Sequence, residues 1–259
     1  AINIITKSET NNSIHTSIGE NKFSDIGINY HSNIKNIKHN ISLNQKRSDG
    51  YIKGTDYKIQ NYFYQAKARL NKIDALLNVG HINKEFGAYS FYTPKYPDQF
   101  ELTQTTFASL QFKKEGKISV EHKMYWRRHN DEYILFRENP EWYHNFHQTN
   151  VYGMDLNIIQ KTAIGSNVLG MEIRTDNIIS NVLGNDLGNP IMIDSNNYYF
   201  KGASTSIINF FAEKIIKLNN LSVSSGIMMN INSNYENDFF PGIDLAYKLS
   251  DHVKLFASY

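Results

Sequence analysis

Apolar and polar residues alternate with a period of two along most of the chain. The clearest stretch places Leu221, Val223, Ile227 and Met229 on one face and mainly polar residues on the other. Alternation of this kind is typical of a β-strand with one apolar face. A sustained helical pattern of apolar residues at i, i+3, i+4 and i+7 is absent. The sequence therefore predicts an all-β protein.

About thirteen strands are predicted by this alternation. Several reach about 9 to 11 residues, which is long enough to cross a bilayer when the strand is tilted. Strands of soluble proteins average about 5 to 6 residues. The predicted strands lie at 14–18, 25–30, 39–44, 62–70, 73–82, 102–112, 118–127, 152–158, 169–174, 204–218, 221–232, 243–249 and 253–259.

Short and long connections alternate between these strands. The short ones are 71–72, 114–116, 161–167, 219–220 and 250–252, and the long ones are 47–56, 83–101, 129–150, 177–203 and 233–241. In an up-and-down meander every second connection lies at the same end, as in outer-membrane barrels with short periplasmic turns and long extracellular loops. The hairpin at 20–22 departs from this order because it is short at the long-loop end. We expect a partial, open, antiparallel up-and-down transmembrane β-barrel, with a soluble β-sandwich as the alternative.

The two faces of the predicted strands differ in charge. A Lys or Arg on the lipid face of a barrel costs about 2 to 4 kcal/mol at the bilayer midplane. We therefore expect the apolar row to lie on the convex, lipid-facing side and the charged row on the concave side. The apolar row includes Ile118, Val120, Met124, Leu156, Ile158, Leu169, Met171 and Ile173, and the charged row includes Glu121, Lys123, Asp155, Glu172 and Arg174.

Composition narrows the classes of function. The 27 Lys and Arg residues nearly balance the 25 Asp and Glu residues, so the charge gives no reason to expect a nucleic-acid partner. The chain has no Cys, which excludes a disulfide scaffold, a thiolate metal site and a Cys nucleophile. No GxSxG, HExxH or P-loop motif is present. We expect neither enzymatic activity nor a cofactor.

Three segments resemble a known family. Residues 1–7, AINIITK, resemble the last plug strand of TonB-dependent outer-membrane receptors. Residues 125–153, YWRRHNDEYILFRENPEWYHNFHQTNVYG, resemble the middle barrel of such receptors from Bacteroidetes-type bacteria, including cobalamin-receptor-like members. Residues 239–259, FFPGIDLAYKLSDHVKLFASY, resemble their later strands.

The resemblance implies a domain division and a function. Residues 1–7 would be the last strand of the plug domain and residues 8–259 the first part of a barrel that has twenty-two strands in the family. The implied function is TonB-dependent uptake of a scarce, bulky nutrient through the Gram-negative outer membrane, with a cobalamin-like corrinoid favoured over a ferric siderophore. The implied partners are the ligand, the TonB complex, and outer-membrane lipid with lipopolysaccharide. A passive porin-like channel and a soluble binding module remain alternatives.

Two of the long loops are rich in aromatic residues. Loops on a rigid scaffold commonly carry binding residues, so we expect an aromatic lid over the ligand. The alternative is that these rings belong to the membrane-interface girdle or pack loop against loop. Arg127, at the predicted top of a strand, would face an anionic ligand or lipopolysaccharide phosphates. The expected ligand-binding residues are Tyr89, Phe91, Tyr92, Tyr96, Arg127, Phe136, Arg137, Trp142 and Tyr143.

Asp49 and Asp56 bracket the loop SDGYIKGTD. They resemble in position the acidic loops that hold calcium in some cobalamin receptors. A calcium site needs six to eight oxygen ligands, and two carboxylates supply too few, so a solvated turn is the favoured interpretation and no metal is expected.

The two ends of the sequence indicate a fragment. The chain opens on a strand pattern without Met or a leader segment, and it stops at Tyr259 inside a predicted strand. The alternative is that Tyr259 is a true C-terminus, because bacterial barrels often end on an aromatic residue.

Overall fold

Fourteen β-strands form one antiparallel sheet in the computed structural model, which describes residues 11–193 and 197–259. The prediction for residues 1–7 lies outside this described part. The strands are β1 Ser13–Ile18, β2 Ser24–Ile34, β3 Ile37–Ser48, β4 Tyr57–Leu70, β5 Ile73–Gly87, β6 Phe100–Lys114, β7 Ile118–Ile134, β8 His144–Thr162, β9 Gly165–Ser180, β10 Asn185–Met192, β11 Tyr198–Leu218, β12 Leu221–Asn232, β13 Asp238–Lys248 and β14 Lys254–Ser258. A single 3-10 turn, Pro140–Trp142, is the only helical element of the described residues.

Each strand pairs with its neighbour in the chain, apart from one insertion. The order runs from β1 to β9 and then from β11 to β14, with β10 attached to β11. The described residues leave β1 and β14 as the two edges, so the sheet is open. The prediction of a partial, up-and-down, all-β barrel is confirmed, and two packed sheets joined by crossovers are not what the chain forms. Within the described residues, no helix is long and apolar enough to cross a membrane.

The segment 177–203 differs from its prediction as a long loop. β9 continues to Ser180, β10 forms within the segment, and β11 begins at Tyr198. β10 pairs with β11 through Asp186 and Lys201, on the edge of β11 that β12 leaves free. The alternation that predicts strands is weak here because this extension stands beyond the apolar part of the sheet, where neither face needs a continuous apolar row.

Several strands are longer than predicted, because alternation is weak where they extend beyond the apolar part of the sheet. β7 runs to Ile134 and β8 starts at His144, so the connection between them is 135–143. The connections 49–56, 88–99, 135–143 and 181–184 lie at one end of the sheet, together with 19–23 and 233–237; we call this the loop end. The opposite end carries tight turns such as 71–72 and 219–220, where Asn71 and Asn219 adopt positive φ angles of 58° and 44°, a conformation that Asn tolerates.

The strand register places the two predicted rows on separate faces. Met124 pairs with Met154, which pairs with Ile173. The adjacent residues form the second row. Lys123 pairs with Asp155, and Asp155 pairs with Glu172. Because directly paired residues share a face, the sheet has one apolar face and one polar face. That the apolar face is the convex one stays a prediction.

Aromatic residues with polar tips form a line across the apolar face. Tyr30 and Tyr64 both pair with Ile41, and Trp126 pairs with Tyr152 on the same register line. Trp and Tyr gather where a membrane meets water. We call this set the aromatic line, and we expect it to mark the membrane boundary nearest the loop end.

The most buried apolar side chains lie towards the loop end of the sheet. Among the described residues these are Ala88, Phe100, Phe146, Val151 and Tyr199. The sheet is a single layer, so its strands alone enclose little, whereas the loops fold back and cover the strand ends. Sites built from side chains of several segments are therefore expected at the loop end.

Candidate functional site

Three loops meet at the loop end through backbone hydrogen bonds. The Gly87 amide donates to the Asp56 carbonyl at 2.8 Å, and the Tyr89 amide donates to the Gly54 carbonyl at 3.1 Å. The Arg137 amide donates to the Asp98 carbonyl at 3.1 Å. The loops 49–56, 88–99 and 135–143 therefore form one assembly.

Arg137 holds this assembly together with its side chain as well. Its guanidinium donates to Asp56 Oδ1 at 2.7 Å. It also lies 3.9 Å from the centre of the Phe100 ring, at the start of β6. A cation over an aromatic face is attracted by the ring quadrupole. Arg137 thus joins the loop 135–143 to the loop 49–56 and to the sheet.

The predicted aromatic residues form two clusters rather than one lid. In the first cluster, Tyr92 lies 5.3 Å from Tyr133, Tyr133 lies 6.2 Å from Tyr143, and Phe91 lies 4.9 Å from Tyr92, all measured between ring centres. In the second cluster, Phe136 lies 5.5 Å from Tyr96 and 5.4 Å from Trp142. Ring pairs in both clusters meet edge to face, the geometry that aromatic quadrupoles favour.

The first cluster lies on the polar side of the sheet. The Tyr92 hydroxyl donates to the Glu101 carboxylate, and Glu101 pairs with Tyr133 on the neighbouring strand. Glu101 and Tyr133 point to the polar face of the sheet, the same face as Lys123. This hydrogen bond, together with burial, raises the pKa of Tyr92 to about 12, so the hydroxyl remains a hydrogen-bond donor at physiological pH. We call this set the polar-side cluster.

The second cluster lies on the apolar side. The Phe100 ring lies beneath the Arg137 guanidinium, and Phe100 pairs with Gly87. Both residues belong to the apolar face of the sheet. A side chain at Gly87 would collide with the backbone of Gly54, so the loop 49–56 passes over this side of β5. Tyr89 contacts Gly54 from the same loop assembly. We call Tyr96, Phe136 and Trp142 the apolar-side cluster.

A cavity of about 850 Å³ opens between the three loops beside the apolar-side cluster. Its charged lining residues are Asp49, Lys53, Asp56, Asp98, Arg137 and Glu138, and Phe136 and Trp142 supply aromatic surface. Gln99, also in the lining, is 1% exposed and accepts a hydrogen bond from the Tyr92 amide at 3.2 Å. Gln99 therefore connects the cavity to the segment that carries the polar-side cluster.

Arg127 lies away from both clusters. β7 continues for seven residues beyond it, so Arg127 is a mid-strand residue paired with Phe107 and Val151 rather than the top of a strand. It belongs to the polar face, as does Lys123. Arg127 does not lie beside the loop residues as expected, because β7 is longer than the alternation of the sequence indicated.

The sequence pattern did not single out Glu101, Asp98 or Gln99. Glu101 was the predicted end of a loop, and nothing local marks it as the partner of Tyr92. The short distance in sequence between Tyr92 and Glu101 is compatible with many loop conformations. Only the folded loop 88–99 brings the hydroxyl to the carboxylate.

Asp49 and Asp56 each have a cationic partner. Asp49 lies 2.6 Å from Lys22, and Asp56 lies 2.7 Å from Arg137. Within residues 11–193 and 197–259, no group of three or more His, Cys, Asp or Glu side chains is placed to hold a metal ion. The two carboxylates serve loop packing in this structure.

The polar face carries hydrogen bonds from strand to strand. Gln65 donates to Asn78 at 2.9 Å, and Asn78 donates to Ser109 at 3.2 Å. On later strands, Asn209 donates to Glu172 at 3.0 Å. These ladders satisfy polar groups that would be costly to bury alone. The same face also carries apolar side chains, since Phe63, Phe107 and Val151 share the register line of Arg127.

Comparison with known proteins identifies the type of barrel. Residues 8–259 match the family model described as TonB dependent receptor-like, beta-barrel. A search of the curated proteins finds no match.

Solved structures share the fold at low sequence identity. The FrpB iron transporter of Neisseria meningitidis, in its apoprotein form, is 11% identical with a TM-score of 0.73, and the match covers 94% of this chain and 44% of that one. The ferric-catecholate import receptor Fiu of E. coli K12, in its open form, is 10% identical with a TM-score of 0.69 over 95% of this chain and 53% of that one.

A third similar structure is a mutant of the ferric enterobactin receptor PfeA from Pseudomonas aeruginosa. It is 13% identical with a TM-score of 0.64, and the match covers 95% of this chain and 42% of that one. The chain thus spans about half the length of the structures that it matches. The family match over nearly all its residues, joined to the open meander of alternating strands, shows that this chain belongs to the TonB-dependent receptor β-barrels of the Gram-negative outer membrane.

Proposed function

We propose that the receptor containing this chain takes up a scarce, bulky nutrient across the outer membrane with energy delivered by TonB. The observation that carries the proposal is the family match over residues 8–259. The similar structures include an iron transporter and a ferric-catecholate import receptor by their own descriptions. Proteins of this family are receptors and transporters, and we propose transport, not catalysis, for this chain.

Each part of the structure has a place in this proposal. The loop assembly captures the nutrient from outside, and the polar face of the sheet lines the path inward, since barrel interiors are polar. A plug domain, drawn by the TonB complex, opens the path. The apolar face contacts lipid, and lipopolysaccharide surrounds the loop end.

Among the two ligand classes, the polar-side cluster favours a cobalamin-like corrinoid. Its rings give rigid, partly apolar contact area at a small cost in side-chain entropy. Glu101 and Asp131 stand close enough to Tyr92 to raise its pKa. Two carboxylates beside the rings repel a ligand with several negative charges, such as a ferric catecholate complex, and tolerate a neutral or cationic one.

The proposal is tested by removing the two aromatic clusters separately. In the full-length receptor, Tyr92→Ala with Tyr143→Ala should weaken binding of cyanocobalamin at least tenfold, about 1.4 kcal/mol, because these rings lie on the side of the sheet that lines the path. Equilibrium binding to purified receptor gives the affinity, and a ferric siderophore serves as the comparison ligand.

The apolar-side pair, Tyr96→Ala with Trp142→Ala, is the matched comparison. It removes two rings of the same loops on the other side of the sheet and should change affinity less than the polar-side pair. If only the apolar-side pair reduces binding, the ligand sits in the cavity beside Arg137. If neither pair affects any corrinoid or siderophore, the aromatic loops are not the capture site.

A further inference from the structure

Ser180, the last residue of β9, is 0% exposed, and its hydroxyl has three hydrogen-bond partners. The backbone amides of Val182 and Leu183 donate to its Oγ at 2.9 and 2.7 Å. His147, directly paired with Ser180 on β8, places its Nδ1 2.7 Å from the same oxygen. A serine hydroxyl offers one proton and two lone pairs. Because the two amides occupy both lone pairs, the hydroxyl donates its proton to His147.

This hydrogen bond fixes the tautomer of His147. Since Nδ1 accepts a hydrogen bond from Ser180, the neutral imidazole carries its own proton on Nε2. Nε2 lies at the tip of the ring, and none of the described residues accepts a hydrogen bond from it. The opposite case is His122, whose Nδ1 lies 3.0 Å from the Asp155 carbonyl and donates to it. His147 therefore presents a fixed donor on the polar face.

The acceptor beside this donor is the carboxylate of Asp131. Asp131 is directly paired with His147 across β7 and β8, so both side chains lie on the polar face with Cβ atoms about 4.5 to 5.5 Å apart. Within the described part of the chain, the Asp131 side chain forms neither a hydrogen bond nor an ion pair. An ionised carboxylate only accepts hydrogen bonds. A donor and an acceptor thus stand side by side, and both are available to a ligand.

The pair of His147 and Asp131 lies directly beneath the polar-side cluster. The next register line towards the loop end joins Tyr133 to Asn145, two residues farther along each strand. Asn145 donates to the Tyr143 hydroxyl at 3.1 Å. Two residues of a strand span about 7 Å. A ligand held by the rings of the polar-side cluster therefore reaches the pair with an adjacent substituent.

Other titratable groups surround the pair without neutralising it. Lys84 and Lys201 share its register line, each two strands and roughly 10 Å away. Glu101 lies on the next line towards the loops and accepts from Tyr92. His129 lies diagonally opposite, with its Nδ1 2.8 Å from Thr105 Oγ1. The negative charge of Asp131 is consequently left for the ligand.

Asp131, His147 and Ser180 have the residue types of a hydrolytic triad but not its arrangement. In such a triad the serine oxygen attacks the substrate and must be accessible to it. Ser180 is fully buried, and both lone pairs of its Oγ are occupied by backbone amides. The three residues are therefore suited to binding and not to nucleophilic catalysis.

We propose that His147 and Asp131 bind a primary carboxamide of the nutrient. The amide oxygen accepts from His147 Nε2, and the amide nitrogen donates to the Asp131 carboxylate. A carboxylate in place of the amide would still accept from His147, but Asp131 would repel it. Corrinoids such as cobalamin carry primary carboxamides around their ring. The inference deepens the proposed function and rests on it, since it takes the polar face as the wall of the ligand path.

A comparison of amide and acid ligands tests the pair. The probes are cyanocobalamin and its monocarboxylic acid derivatives, each with one side-chain amide hydrolysed. The purified full-length receptor should bind at least one derivative at least tenfold more weakly than cyanocobalamin, about 1.4 kcal/mol. Asp131→Asn should bring that derivative to within a few-fold of cyanocobalamin, because Asn is neutral and its amide donates to a carboxylate. Identical discrimination by the native receptor and Asp131→Asn would overturn the inference.

Asp186→Asn is the matched control for Asp131→Asn. Asp186 is connected to the same register line through Lys201, with which it forms an ion pair at 3.1 Å. It lies four strand spacings from Asp131, about 19 Å, so it removes the same charge without touching the pair. Its discrimination between amide and acid should equal that of the native receptor. If Asp186→Asn relaxes it as much as Asp131→Asn does, net charge at the loop end decides selectivity and the proposed site is wrong.

Two substitutions of His147 test the donor. His147→Leu should weaken binding of cyanocobalamin at least tenfold. His147→Gln keeps an acceptor for Ser180 in Oε1 and a donor in Nε2, so its affinity should remain within a few-fold of the native value. Equal losses in both variants would show that the ring and not its donor is needed. Histidine ¹⁵N NMR of the native receptor should show the proton on Nε2 of His147 and on Nδ1 of His122, and a proton on Nδ1 of a neutral His147 would contradict the assignment.

Uptake measurements separate this inference from the proposed function. A receptor that takes up only nutrients without a primary carboxamide, in a TonB-dependent manner, would overturn the inference and leave the proposed function standing. Uptake that persists unchanged without TonB would instead overturn the proposed function.

Discussion

Replacing Leu156 with Arg is expected to destabilise the barrel by about 2 to 4 kcal/mol, the cost of an Arg on the lipid face at the bilayer midplane. Leu156 pairs with His122 and Met171 on the apolar face. It lies about midway between the aromatic line at Tyr152 and the turn that follows Thr162. A guanidinium there is too far from either surface to reach water without deforming the bilayer.

The neighbouring substitution Asn157→Arg provides the control for Leu156→Arg. Asn157 pairs with Glu121 and Gly170 on the polar face, so its Arg would meet water and a carboxylate. Reversible unfolding of the full-length receptor in lipid vesicles, together with the amount assembled in outer membranes, measures both variants. A larger loss for Asn157→Arg than for Leu156→Arg would show that the two faces are assigned the wrong way round.

Gly87→Ala is expected to cost about 1 to 3 kcal/mol, the usual range for overpacking. A Cβ at Gly87 would collide with the backbone of Gly54, which cannot rotate away as a long side chain does. The loop 49–56 must then move off β5. This movement breaks the ion pair between Asp56 and Arg137, which lie 2.7 Å apart. We expect faster proteolysis within the loop 49–56 as well as lower stability.

Gly188→Ala is the matched control for Gly87→Ala. Gly188 also lies in a strand, β10, but no atom lies within 4 Å of the position that its Cβ would take. Its effect should remain within about 0.5 kcal/mol, as for most surface substitutions. Equal proteolysis of native protein and Gly87→Ala would contradict the close approach of the loop to β5.

The residues inside the apolar part of the sheet were predictable from the sequence. Met124, Leu156 and Met171 belong to rows that alternate strictly, because lipid on one side and water on the other constrain every second position. A slip of one residue in any strand would turn its whole row to the wrong face. This constraint made the strands, their order and the two faces readable without a structure.

The loop end was less predictable because that constraint stops at the membrane boundary. β10 was missed within 177–203, and Arg127 was expected at a strand end that lies seven residues farther on. Asp56 has a cationic partner, Arg137, that is distant in the sequence and comes near only through folding. Local pattern carries no information on such pairs.

The sequence by itself determined the class of barrel, the alternating faces and the aromatic content of the loops, because burial against lipid imposes a period of two on every strand. The tertiary structure alone decided how the rings divide into a polar-side and an apolar-side cluster, and which residues of separate strands share one register line. Those arrangements depend on the stagger between neighbouring strands and on loop packing, which are properties of the assembled sheet.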